Sequence, residues 1–157
     1  MFYYRKVVAY MLKNISPLIS PELLKILAEM GHGDTIVLAD GNYPAMSSPA
    51  KHILRADGIG VPALLEAILP YFPLDTFIEQ PVSLMAVAAC DDYTPELWAV
   101  YESMLAQNGA NKSKIEFLER HAFYDKATQA YCVVATGERG RYGNIMLKKG
   151  VVELDEA

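Results

Sequence analysis

Cysteine is scarce in this chain. Cys90 and Cys132 are the only two among 157 residues, far apart and outside any Cys-x-x-Cys pair. That argues against a disulfide-framed secreted fold and against a zinc ribbon, and the apolar neighbours of both point to buried thiols in a reducing, cytoplasmic compartment. The three histidines show no His-x-His or His-x-x-x-His spacing, so no metal motif is present. No apolar run approaches the ~18–20 residues of a membrane span, and Lys13 cuts the first one short of a signal-peptide core. With a net charge of −5 there is no basic excess to recruit nucleic acid. Missing too are the phosphate-loop and dinucleotide glycine fingerprints, and Ser47 and Ser48 lack the Gly-x-Ser-x-Gly elbow of a serine hydrolase.

What the chain does have is a 52% hydrophobic composition, enough to fill the core of one domain. Residues 1–10 read as an N-terminal extension, because the segment from Met11 has the look of an ordinary domain start. Residues 11–157 then form a single domain. Ser20-Pro21-Glu22 is a helix start, with a capping serine, a proline in the first turn and an acid beside the positive helix end. Leu23, Leu27 and Met30 share its face, and Gly31 suits a left-handed stop. Thr35–Ala39 hardly alternates and reads as a buried strand. A loop from Gly41 to Pro49 follows, then a short strand His52–Ala56 closed by Asp57-Gly58. A helix is expected from Pro62 to Leu69, a buried strand over Pro81–Ala89, and a second cap-proline-acid helix from Thr94-Pro95-Glu96 to about Gln107. Short strands over Ile115–Leu118, Tyr131–Thr136 and Asn144–Lys148, with a helix over Ala122–Ala130, complete the pattern. Alternating helix and strand predict an α/β fold with a mainly parallel central sheet and flanking helices.

Four places have the residue types for chemistry. His32 stands between Gly31 and Gly33, which leave its imidazole uncrowded, and an ordinary histidine gives and takes protons near neutral pH. It reads equally as a cap on a helix C-terminus. Asp40 lies beyond the carboxyl end of a strand, where open α/β sheets bind ligands, although Asp-Gly is also a common turn pair. The segment Thr136–Asn144, with three glycines, Arg139 and Arg141, would cradle an anion or polar ligand or else form a long hairpin turn. Its Tyr142 and Asn144 suit sugar hydroxyls better than phosphate. Arg120–Tyr124 places a cation and aromatics at a strand end, either lining a pocket or starting a helix. His52 reads as structural. A five-residue strand is roughly 15–20 Å long, so His32 and Asp40 do not meet along it in a straight line.

The segment Ile15–Asp34, together with Arg55-Ala56-Asp57-Gly58, Ala122-Phe123-Tyr124, Thr136-Gly137-Glu138-Arg139 and Tyr142-Gly143-Asn144-Ile145, resembles the D-ribose pyranase/fucose mutarotase family. The motifs keep their order from Met11 to about Val151. The resemblance implies an isomerase of free sugars that interconverts α and β anomers, of L-fucose first, without metal or organic cofactor. It implies a homo-oligomeric ring, commonly a decamer of two stacked pentamers, with sites between neighbouring subunits. Ten tyrosines suit such interfaces. By motif, His32 matches the proton donor, Asp40 a substrate-binding acid, Arg120 the arginine of the fucose members, and Tyr142 and Asn144 the C-terminal binding loop. The loop Asp40-Gly41-Asn42-Tyr43-Pro44 departs from the family's Asp-Ala-His-Phe-Pro type. Tyr142, Asp40 or a water therefore remain as the second proton-handling group. Pyranose/furanose exchange of D-ribose, and sugar binding without catalysis, are the alternative functions.

Overall fold

The computed structural model describes residues 11–155. The expected extension at residues 1–10 lies outside them. Six strands form one sheet: β1 Thr35–Ala39, β2 His52–Ala56, β3 Val82–Met85, β4 Ile115–Leu118, β5 Cys132–Thr136 and β6 Ile145–Lys148. Their order is β2-β5-β1-β6-β3-β4. Neighbours pair in parallel except where β6 meets β1 and β3, so β6 alone runs against the rest. The predicted mainly parallel α/β sheet is what the chain adopts.

Four helices cover it: α1 Pro21–Glu29, α2 Val61–Ile68, α3 Glu96–Gln107 and α4 Arg120–Ala127. β1 is why the sheet needs both layers. Ile36 and Leu38 pack into the core under α1, α2 and α3, with Leu23, Leu64, Tyr101 and Leu105. Val37 and Ala39 point the other way, onto Phe123 and Ala127 of α4. All four are fully buried, as a strand with a continuous apolar run requires. Ser20 Oγ accepts the Leu23 N–H at 3.1 Å, so the expected cap holds α1.

Several boundaries differ from expectation for local reasons. The left-handed glycine after α1 is Gly33, at φ 87°, while the helix ends at Glu29 with an extended Met30. In α3, Pro95 itself sits at the cap position, and Thr94 makes no capping bond. α4 starts two residues earlier than predicted because the Glu119 carboxylate accepts the N–H groups of His121 and Ala122. β3 stops at Met85, and the chain bends into a turn closed by Asp91 N–H donating to Ala88 O at 2.9 Å. β5 and β6 do not form a hairpin, since β1 lies between them.

Both cysteines are free, but only Cys132 is buried; Cys90 is exposed, because it belongs to that turn and not to a strand. Burial pushes the Cys132 thiol from 9.0 up to about 12. The unfolded chain releases this proton near pH 9 and the folded chain only near 12, so the buried thiol's contribution is intact below 9 and lost as pH rises through that window. The slope is about 1.4 kcal/mol per pH unit. Urea midpoints of the wild type between about pH 8 and 10.5 should therefore fall more steeply than those of Cys132→Ala.

Candidate active site

The carboxyl ends of β1, β3 and β4 and the amino end of the reversed β6 meet at one edge of the sheet. A pocket of about 240 Å³ opens there, lined by Asp40, Met85, Asp91, Arg120, Tyr124 and Tyr142 among others, with Asn144 at its floor. Strand ends of an open α/β sheet place ligand groups in just such a crevice. Asp40 follows β1 and is 5% exposed. Its backbone N–H donates to Asn144 Oδ1 at 2.7 Å, while its carboxylate accepts the N–H of Asn42 at 3.0 Å and of Gly143 at 3.2 Å. Burial pushes this carboxyl above its ordinary range, and the backbone N–H groups of Asn42, Gly143 and Tyr43 aimed at it only partly offset that. With Asn144 Oδ1 occupied, its amide NH₂ is the part left to donate into the pocket.

Tyr142 sits between Gly140 and Gly143 with a left-handed φ of 56°, uncommon for an aromatic residue. The turn is held from below. Trp98 Nε1 donates to Tyr142 O at 3.1 Å, and the buried Tyr101 hydroxyl donates to Gly143 O at 2.7 Å. The Tyr142 hydroxyl donates to Asp91 Oδ2 at 2.8 Å and accepts the Ala88 N–H at 3.3 Å. The Asp91 acceptor, above all, holds this phenol above its usual range, so it stays protonated at neutral pH. Arg120 opens α4 and is exposed at the rim; Tyr124, one turn on, packs edge-on against Tyr43 at 5.4 Å. Burial raises the Tyr43 phenol to about 12.

Four of the five sequence-predicted site residues, Asp40, Arg120, Tyr142 and Asn144, thus share one pocket. His32 does not. It lies before β1, at the opposite edge, where Gly33 N–H donates to Lys149 O at 2.8 Å and pins the turn to the far end of β6. Its Nε2 is 3.1 Å from Asp75 Oδ1, and its ring packs on Phe77 at 5.2 Å. The imidazole is 46% exposed, the Asp75 side chain 4%. Burial alone would raise the Asp75 carboxyl, but the Phe77 N–H, His32 and Lys148 outweigh it and hold it below the usual range. A larger hollow of about 630 Å³ opens on the same edge, between Leu69–Thr76 and Val151–Glu153. Val151 and Val152 line it with exposed apolar surface, and Phe77, against His32, is 74% exposed.

Nothing in the sequence marks Asp75, Asp91 or Tyr43 as site residues, whereas Arg120 and Tyr124 of the Arg120–Tyr124 segment both line the pocket. No motif marks Asp75 or Asp91; both lie in loops and reach their partners only through the sheet order. The phosphate-like cradle also dissolves. The N–H groups of Arg139 and Gly140, each at 2.8 Å, and of Val61, at 3.2 Å, all donate to the Glu138 carboxylate, so the nest is filled by the chain's own anion. Gly137 permits this fold-over, since a Cβ there would lie 2.0 Å from Asp57 O.

Residues 13–152 match the model of a family described as the RbsD / FucU transport protein family. The L-fucose mutarotase of Actinobacillus pleuropneumoniae serotype 5b (strain L20) is 50% identical over 141 residues, covering 90% of this chain and 97% of that protein. The fucose mutarotase of Homo sapiens is 47% identical over 152 residues, covering 92% and 96%. The crystal structure of the fucose mutarotase of Streptococcus pneumoniae in complex with L-fucose superimposes with a TM-score of 0.87 at 47% identity, covering 90% of this chain and all of that one.

Proposed function

The chain belongs to the RbsD / FucU transport protein family, and on that premise we propose that it is a mutarotase, interconverting the α and β anomers of a free monosaccharide, L-fucose first. The observation behind this reading is a polar pocket at the strand ends of a backbone that matches, over nine-tenths of its length, a mutarotase bound to L-fucose. At about 240 Å³ the pocket is below the ~300–1,000 Å³ typical of drug-sized ligands, which suits a single sugar ring.

Anomer exchange needs one proton given to the ring oxygen and one taken from the anomeric hydroxyl. The C1–O5 bond then breaks as C1=O1 forms, and closure on the other face reverses both transfers. Asp40 accepts from sugar hydroxyls through the lone pairs its backbone partners leave free, while Arg120 and the Asn144 amide donate to them. Tyr142 receives the anomeric proton, and His32 supplies the proton to the ring oxygen. β6 separates these two groups by its four residues, about 10–15 Å, so one chain cannot bring both to one sugar. The His32 edge of one copy, with exposed Phe77 and Val151 beside it, therefore closes the pocket of its neighbour. The protein works as a homo-oligomeric ring, a decamer in the family's usual form, in the cytoplasm, where its free cysteines stay reduced.

Saturation transfer between the α and β anomeric protons tests the reading, run over L-fucose, D-ribose and other free sugars. Faster exchange of L-fucose than in buffer supports it; binding without faster exchange makes the chain a sugar-binding protein instead. Asp75→Asn should lower the exchange rate roughly 10- to 100-fold, because a hydrogen bond to a charged group is worth about 1.5–3 kcal/mol. A fall in kcat with KM little changed is the signature to look for.

A further inference from the structure

The Tyr142 hydroxyl does not end in solvent. It docks into the Ala88–Asp91 turn, meeting the N–H of the first residue and the carboxylate of the last. An O–H has one proton and two lone pairs. Here the proton goes to Asp91 Oδ2 at 2.8 Å and one lone pair to Ala88 N–H at 3.3 Å, so the remaining lone pair is the face available to a ligand. The arrangement is braced. Tyr93 stacks on the Tyr142 ring at 6.0 Å, Arg141 lies 4.2 Å over Tyr93, and Arg141 Nη1 donates to the same Asp91 oxygen at 3.0 Å. A left-handed aromatic residue held by so many partners is strain kept for a purpose.

We propose that Asp91 is a positioning residue for the mutarotase reaction, aiming the Tyr142 proton away from the sugar and receiving it as the ring opens. The inference rests on the mutarotase reading above. In the opening step the anomeric O1–H bond breaks and its proton passes to Tyr142 Oη, while the proton Tyr142 held passes to Asp91 Oδ2. Ring closure on the opposite face returns both. Without the carboxylate, the phenol rotor is free to point its own proton at the anomeric oxygen, and the group best placed to accept becomes a donor. Asp91 thus decides the direction of proton flow through the Tyr142 hydroxyl.

A double-mutant cycle in the L-fucose exchange assay tests this, with wild type, Asp91→Asn, Tyr142→Phe and the double variant. Asp91→Asn should lower kcat at least about tenfold, within the range for loss of a positioned proton acceptor, and leave KM within about twofold. The double variant should be no more than about twofold slower than Tyr142→Phe alone, and Asp91→Glu should recover part of the loss. Unchanged kcat in Asp91→Asn, an effect on KM alone, or losses that multiply in the double variant would each overturn the role of Asp91. If the Asn variant melts early, Asp91→Ser repeats the cycle. A wild-type protein that does not speed exchange overturns the mutarotase reading itself, and this inference with it.

Discussion

Replacing His32 with glutamine is expected to slow L-fucose anomer exchange by ~10²–10⁴-fold, the usual contribution of a positioned acid/base group. Glutamine still reaches Asp75 with an N–H, so the edge keeps its hydrogen bond, but an amide cannot titrate. The fold should not notice. The turn is fastened through its backbone, by Gly33 N–H to Lys149 O and Lys149 N–H to Asp34 O, each at 2.8 Å. Lys149 Nζ, donating to Leu27 O at 2.8 Å and to Met30 O, satisfies the carbonyl end of α1 from outside the imidazole. A half-exposed side chain in such a turn is worth within about ±0.5 kcal/mol, a shift of a few degrees at most in Tm. Near-wild-type exchange in a folded variant would remove His32 from the mechanism and leave Tyr142 to act alone.

Much of the fold could be read from the sequence, because its signals are local. Ser20 caps α1 as its hydroxyl predicts, and the unbroken apolar run Thr35–Ala39 lies buried on both faces. The reversal of β6 could not be read. A strand with neighbours on both sides carries the same apolar residues whichever way it runs, and only the chain's return path decides. The site divides along the same line. Asp40, Tyr142 and Asn144 stand in loops whose composition is unusual for their surroundings, so they could be picked out. Asp75 sits in a proline-rich connection and Asp91 beside an exposed cysteine, and neither neighbourhood hints that a histidine 43 residues away or a tyrosine 51 residues away will arrive. The strand length did foretell that His32 and Asp40 stand apart. Which end of which copy they would serve is a matter of assembly, and one chain's periodicity does not encode it.

That separation yields a second large effect. If each site takes His32 from one copy and its pocket from the next, two inactive proteins should restore each other. His32→Gln subunits keep an intact pocket, with Asp40, Tyr142 and Asn144 in place. Tyr142→Phe subunits keep an intact His32–Asp75 edge. In a ring built by repeating one head-to-tail contact, random co-assembly at equal amounts puts a sound edge against a sound pocket in about one site of four. Each homogeneous variant is down by ~10²–10⁴-fold, so a mixture refolded together should reach about a quarter of wild-type exchange, a gain of one to three orders of magnitude. Mixing the assembled proteins without dissociation should give nothing, and native mass spectrometry of the refolded sample should show mixed rings. A refolded mixture that contains mixed rings and stays inactive would mean that each site draws His32 and Tyr142 from a single chain, or does not use both. The geometry argues against the first, because β6 with its interleaved neighbours keeps those two side chains at opposite edges of the sheet.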